Sequence, residues 1–79
     1  MNWLNVDLNS SEVNSYILDP YSFNCLLLEI DCNISEINED SVRQQFLTRL
    51  ESKIACAKDV LEANLTNIVE HARAYREEE

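Results

Sequence analysis

The thiol and imidazole side chains, which bind zinc and can act as nucleophiles or bases, are few: three cysteines and one histidine. Cys25 and Cys32 are seven residues apart in the sequence, whereas the cysteines of zinc sites typically have about two to four residues between them. In one continuous helix, Cys56 and His71 would be separated by about four turns and could not share a metal ion. We therefore expect no metal site and no cofactor, and cysteines that remain free thiols.

Acid–base catalysis would need a pair of carboxylates, and Glu29 and Asp31 share the polar face if this segment is a strand. No basic residue accompanies them, and the chain contains no glycine, so a glycine-rich phosphate-binding loop is excluded. His71 has no carboxylate at a spacing that indicates a dyad, and we expect it to face solvent. The sequence thus predicts no catalytic residue and a protein that is not an enzyme.

The acidic residues are concentrated in the first half of the chain. The formal net charge is −9; residues 1–40 contain eight Asp or Glu and no Lys or Arg, whereas residues 41–79 contain seven acids and six bases. The negative electrostatic field of an acidic first half disfavours direct binding to nucleic-acid phosphates and favours a protein partner with a basic surface. The carboxylates expected to face this partner are Asp7, Glu12, Asp19, Glu29, Asp31 and Glu36.

The sequence also indicates a cytoplasmic protein without a membrane span. The longest unbroken apolar runs, such as Cys25 to Leu28, have four residues, far below the ~20 residues that cross a bilayer. No basic region followed by an apolar run marks a secretory signal.

The first half predicts a short strand, a short helix and a second strand. Apolar and polar residues alternate over residues 3–8, which is typical of a half-buried strand. Asn9 is a candidate N-cap for a helix that Pro20 ends. Alternation then resumes over residues 26–35 and predicts the second strand, with one face formed by Leu26, Leu28, Ile30, Cys32 and Ile34.

An all-α chain is the alternative, because Asp19 and Pro20 suit the N-cap and first position of a helix over residues 20–31. We favour the strand because it places both Glu29 and Asp31 in water, whereas a helix would separate them by about 200° and bury one. Since glycine is absent, any turn that needs a positive φ must use Asn or Asp.

The second half predicts one long amphipathic helix over residues 40–77. Apolar residues recur every three or four positions, as on one helix face: Val42, Phe46, Leu50, Ile54, Ala57, Leu61, Leu65, Ile68, Ala72 and Tyr75. Such a helix would be roughly 57 Å long, more than the first half could cover. We therefore expect a homodimer that closes over this stripe. The alternatives are that the stripe pairs with a different protein, or that the helix breaks near Asn64 and forms a helical hairpin.

These observations together predict a single α+β domain spanning residues 1–79, with an acidic half (residues 1–38) and a helical half (residues 39–79). The function they indicate is a small acidic protein-interaction or adaptor module that self-associates and binds a basic protein partner. Two alternatives remain: an inhibitor that mimics nucleic acid, and a subunit or co-chaperone of a hetero-complex.

Overall fold

The computed structural model describes the backbone of residues 2–77 and the side chains of residues 2–74. A 3-10 helix, Trp3–Asn5, precedes four α-helices: α1 Ser11–Leu18, α2 Pro20–Glu36, α3 Asp40–Ile54 and α4 Asp59–Glu77. No residue of the described range lies in a strand. The α+β prediction is therefore wrong, and the all-α alternative agrees in part, although its single long helix is two helices.

Helix α2 replaces the predicted second strand because its apolar residues satisfy two periods at once. Leu26, Ile30 and Ile34 are four residues apart, so they fall on one helical face, and all three are buried. Leu28 and Cys32, which the strand would have placed beside them, are exposed instead. The alternation of apolar and polar residues arises because α2 carries two apolar stripes, one buried and one that includes the exposed Leu28 and Cys32.

The start of α2 follows the alternative reading of Asp19 and Pro20. Asp19 ends α1 and is the N-cap of α2; its carboxylate accepts a hydrogen bond from the Ser22 amide at 2.9 Å. Pro20 occupies the first turn, where a missing N–H costs nothing. At the start of α1, the N-cap is Ser10 rather than Asn9.

The predicted first strand is absent because Trp3 and Leu4, which are consecutive, are both buried. A strand would point them to opposite faces, whereas the 3-10 helix directs both inward. The Asn2 side chain accepts from the Leu4 amide at 3.0 Å, and the Trp3 amide donates to Asn33 Oδ1 at 2.8 Å. These bonds fix the 3-10 helix and join it to α2.

The long helix is interrupted between Ile54 and Asp59, and α3 packs against α4. Asp59 has a φ of 57° and is the positive-φ residue of the described chain, which agrees with the expectation that Asp or Asn must serve such turns. The helical hairpin that we considered as an alternative is present, but the helix breaks between Ile54 and Asp59 rather than near Asn64. Asn64 lies within α4, where its side chain donates to the Ile17 carbonyl oxygen at 2.8 Å.

Because the helix folds back, both halves of the chain share one core. The buried apolar residues are Trp3, Leu4, Leu8, Val13, Ile17, Phe23, Leu26, Ile30, Ile34, Phe46, Leu47, Leu50, Leu65, Ile68, Val69 and Ala72. The Cα radius of gyration is 11.7 Å, close to the value of about 11.6 Å for a compact domain of this length. The longest dimension is 32 Å, so the extended helix that would have required a second copy does not exist.

The N-terminal segment is held on α3 by two cationic side chains. Arg49 donates to the carbonyl oxygen of Val6 at 2.9 Å and to that of Leu4, and Lys53 donates to that of Leu8. These bonds satisfy carbonyl groups that no helix pairs. Within the described residues, none of the helices is both long and apolar enough to cross a bilayer.

Candidate docking surface

Helix α2 carries an exposed apolar line on its outer face. Tyr21, Cys25, Leu28 and Cys32 follow one another at intervals of four, three and four residues. The exposed fraction is 79% for Tyr21 and 67% for Leu28, and both cysteines are exposed. We call these four residues the α2 stripe. Single exposed apolar residues are normal on a protein surface, whereas a continuous line of them marks a contact site.

The α2 stripe lies opposite the face that α2 gives to the core. At 100° per residue its four members fall within about 60° of arc, about 180° from the mean direction of the buried side chains. Those buried residues are Phe23, Leu26, Ile30 and Ile34. Helix α2 therefore has more apolar surface than this fold buries.

Carboxylates flank the α2 stripe on both sides. Glu29 and Glu36 lie about 80° and 60° to one side of Tyr21, and Asp31 lies about 80° to the other. Glu29 accepts a hydrogen bond from the Trp3 indole N–H, and Asp31 lies against His71. Helix α2 contains no Lys or Arg, so the stripe is an apolar line between acidic borders.

The six carboxylates predicted to face a partner do not form a single surface. Glu29, Asp31 and Glu36 border the α2 stripe, whereas the other three lie elsewhere. Asp7 accepts from the Asn9 amide at 3.0 Å, in the turn before α1. Glu12 and Asp19 line a shallow groove that also includes Tyr16.

The environment of the Asp19 carboxyl favours its ionised form. Its pKa lies below the ordinary value of 3.8 because it accepts a hydrogen bond from the Ser22 backbone amide and another from the Ser22 hydroxyl. Both bonds favour the ionised form, so this carboxylate works as a helix cap rather than as a free contact group.

The ten residues predicted as a self-association interface lie mostly within the monomer. Phe46, Leu50, Leu65, Ile68 and Ala72 are buried, and Val42, Ile54, Ala57 and Leu61 are partly buried against the same core. The side chain of Tyr75 lies outside the described residues. The nine described members thus contact other elements of their own chain, and a second copy could reach the buried ones only if the domain opened.

Sequence reasoning missed the polar contacts between distant elements, among them two that are made by carboxylates bordering the α2 stripe. His71 was expected in solvent, but its Nε2 lies 2.8 Å from Asp31 Oδ1, with 35% and 33% of the two side chains exposed. The Trp3–Glu29 hydrogen bond is the second. The partners are 40 and 26 residues apart in the chain, so no local spacing could reveal them.

The described residues contain no group of three or more His, Cys, Asp or Glu side chains able to hold a metal ion. What the α2 stripe offers is burial of apolar area beside fixed negative charge. No protein-family model matches the sequence, and neither a curated protein nor a solved structure is significantly similar to it.

Proposed function

We propose that this protein is a small acidic interaction module that binds a basic amphipathic helix of a partner protein along the α2 stripe. The observation that carries the proposal is the exposure of Tyr21 and Leu28 on one line of a helix that already fills the core with its other face. Helix-to-helix recognition uses anchors at this spacing. Tyrosine is also among the residues enriched where binding energy concentrates.

Charge favours a basic partner over a second copy of this chain. Residues 1–40 have no Lys or Arg, so two α2 helices laid together would bring carboxylates of the same sign into proximity. A helix with Lys or Arg beside its apolar line would instead meet Glu29, Glu36 and Asp31 with opposite charge.

The size of the surface favours a transient complex. Helix α2 has 17 residues, about 25 Å in length, and only one of its faces is free. A stable interface needs about 800 Å² from each partner, which is more than one such face supplies. We therefore infer a reversible contact whose rate of formation depends on charge.

The two other candidate functions have less support. A nucleic-acid mimic needs acids in rows on one surface, whereas the carboxylates here are divided between the borders of α2 and the turns and caps that contain Asp7 and Asp19. A subunit of a permanent hetero-complex would depend on its partner to complete its core, whereas the core here draws on all four helices. The proposed interaction module explains the exposed α2 stripe and requires neither rows of acids nor a permanent partner.

The test is a binding titration with a defined helical probe. A fluorescein-labelled peptide of about 18 residues, with Leu on one helical face and Lys on the other, is titrated with the protein and followed by fluorescence anisotropy. We expect Leu28→Ser to weaken binding about tenfold, the effect of losing one buried leucine contact. Raising the salt concentration from about 0.05 M to 0.5 M should weaken it further, because charge is screened.

The matched control is Val60→Ser, which removes an exposed apolar side chain (58% exposed) from α4. We expect this variant to bind as the wild type does. Both variants should keep the wild-type melting temperature, since exposed substitutions change stability little. Equal binding by the two variants, or equal binding of a peptide with Glu in place of Lys, would overturn the proposal.

A further inference from the structure

The α2 stripe has the spacing at which two helices pack along their length. Its members follow one another at alternating intervals of four and three residues, which is the heptad spacing of helices that cross at about 20°. A helix bound there would follow α2 over the roughly 17 Å of axis from Tyr21 to Cys32. The two ends of the bound helix would therefore meet different parts of α2.

Those two parts of α2 differ in charge. Residues 20–28 contain no charged side chain, whereas all three carboxylates that border the stripe lie in residues 29–36. Glu36 is the last residue of the helix, where the negative end of the helix dipole adds to its charge. The negative potential along the stripe therefore increases from Tyr21 towards Cys32.

The carboxylates near the start of α2 do not cancel this difference. Glu12 and Asp19 line a shallow groove with Ser22, but both lie at the start of a helix. Glu12 is in the first turn of α1, and Asp19 is the N-cap of α2. The positive end of a helix dipole opposes a carboxylate at such a position.

The border carboxylates keep their capacity to pair with a cation. Glu29 accepts from the Trp3 indole, and Asp31 lies against the His71 imidazole; neither ring is a permanent cation. An ionised carboxyl group has about four lone-pair sites. Each of these carboxylates can therefore also accept a hydrogen bond from a Lys or Arg of a bound helix.

We propose that the α2 stripe also sets the direction of the helix it binds, a property that rests on the proposed function. The end of the partner helix that bears Lys or Arg lies beside Cys32, and its uncharged apolar end lies beside Tyr21. Opposite charges across an interface fix orientation in this way. The partner is then a helix whose basic residues are confined to one half. With these residues in its N-terminal half it runs antiparallel to α2, and with them in its C-terminal half it runs parallel.

The two thiols of the stripe can report this direction. Cys25 and Cys32 are exposed and lie about 10 Å apart along the helix axis. The probe is a helical peptide of about 18 residues with Leu on one face, and with Lys on the other face in its N-terminal half and Gln in its C-terminal half. One residue of the Leu line in the Lys-bearing half is a cysteine activated as its pyridyl disulfide. A protein thiolate that attacks this cysteine forms a protein–peptide disulfide and releases thiopyridone, whose absorbance gives the rate.

Two double variants each retain one thiol of the stripe. Cys25→Ser/Cys56→Ser retains Cys32, and Cys32→Ser/Cys56→Ser retains Cys25. We expect Cys32 to react at least tenfold faster than Cys25, because binding raises the local concentration of the activated disulfide beside it. Each rate is divided by the rate of the same thiol with dipyridyl disulfide, a small reagent that removes the difference in intrinsic reactivity.

Two further peptides separate charge from chain direction. In the first, the Lys residues and the activated cysteine are both moved to the C-terminal half, and Cys32 should remain the faster thiol. In the second, the Lys residues stay in the N-terminal half and the activated cysteine moves to the uncharged half, and Cys25 should become the faster thiol.

Removal of the border charges should remove the preference. Glu29→Gln/Glu36→Gln retains an oxygen that accepts the Trp3 indole bond and should bring the two normalised rates closer together. The matched control is Glu62→Gln/Glu70→Gln, which removes the same charge from two exposed residues of α4 and should keep the preference for Cys32.

The outcome distinguishes the direction of binding from binding itself. Equal normalised rates of the two thiols, with peptides that bind in the anisotropy titration, would overturn the proposed direction and leave the interaction module intact. A preference that follows the chain direction of the peptide rather than its Lys residues would do the same. Peptides that do not bind at all would overturn the interaction module and the direction with it.

Discussion

The imidazole Nε2 of His71 on α4 lies 2.8 Å from the carboxylate Oδ1 of Asp31 on α2. Both side chains are about one-third exposed, so the contact is shared with water. This bond joins two helices that also contribute apolar residues, such as Ile34 and Ala72, to the common core.

We expect a modest coupling between His71 and Asp31. A double-mutant cycle of His71→Ala and Asp31→Ala, measured by urea unfolding at fixed pH, should give an interaction free energy of about 0.2–1 kcal/mol. The coupling is small because both side chains are about one-third exposed and water competes for both groups. Additive losses, with no interaction free energy, would mean that the pair does not form in solution.

The turn between α3 and α4 should tolerate few residues at position 59. Asp59 has a φ of 57°, where a β-branched side chain clashes with its own backbone. Asp59→Val should lower the free energy of unfolding by about 1–2 kcal/mol, whereas Asp59→Asn should be close to neutral. Urea unfolding of both variants checks this.

Glu62→Val serves as the control for that substitution, because Glu62 is an exposed residue of the same helix. It should cost only the difference in helix propensity, below about 0.7 kcal/mol. If Asp59→Val cost no more than Glu62→Val, the interruption of the helix at this point would be in doubt.

The solution mass should be that of one chain. Because the apolar stripe of α3 and α4 is buried within the monomer, we expect 9.2 kDa by light scattering at micromolar concentration. We also expect a melting temperature that does not depend on protein concentration. A mass of two chains would contradict this expectation and support the homodimer predicted from the sequence.

A pair of matched leucine substitutions tests the same arrangement. Leu50 is 1% exposed and Leu28 is 67% exposed. Leu50→Ala should cost about 2–5 kcal/mol of stability, and Leu28→Ala less than about 0.5 kcal/mol. Thermal and urea unfolding measure both, and equal losses would contradict the assignment of the core.

The cap at Asp19 should contribute stability that depends on pH. Its pKa is lower in the folded chain than the ordinary value of 3.8, so its contribution is present above that value and is lost as the pH falls through the lower, folded value. Asp19→Ala should therefore unfold at lower urea than the wild type at pH 7, and the difference should shrink as the pH falls below about 3.8.

Asp19→Asn separates charge from hydrogen bonding, because asparagine accepts the same amide bond without titrating. The stability difference between Asp19→Asn and Asp19→Ala should be independent of pH, because neither variant titrates at this position, whereas the difference between the wild type and either variant should change with pH. A wild type and an Asp19→Ala variant whose difference stays constant from pH 7 to pH 2 would exclude the cap as a titrating group.

The sequence by itself determined the local features of this protein. The pair Asp19 and Pro20 is compatible with a helix start from chemistry within three residues, although the alternation after it led to the wrong prediction of a strand. The absence of glycine assigns the positive-φ turn to Asp or Asn, as at Asp59. The spacing of apolar residues in the second half likewise identifies an amphipathic helical surface. These signals are readable because capping, turn and periodicity each depend on residues that are close in the chain.

The tertiary structure decided the features that depend on which faces of the helices pack against one another. Alternation in α2 fitted both a strand and a helix with two apolar faces, and only packing on the other helices selected the second. The break before Asp59 follows because folding α4 back against α3 buries the stripe without a second copy. The contact of His71 with Asp31 and that of Trp3 with Glu29 exist only once those helices meet, since burial and long-range hydrogen bonds belong to the whole fold rather than to any one segment.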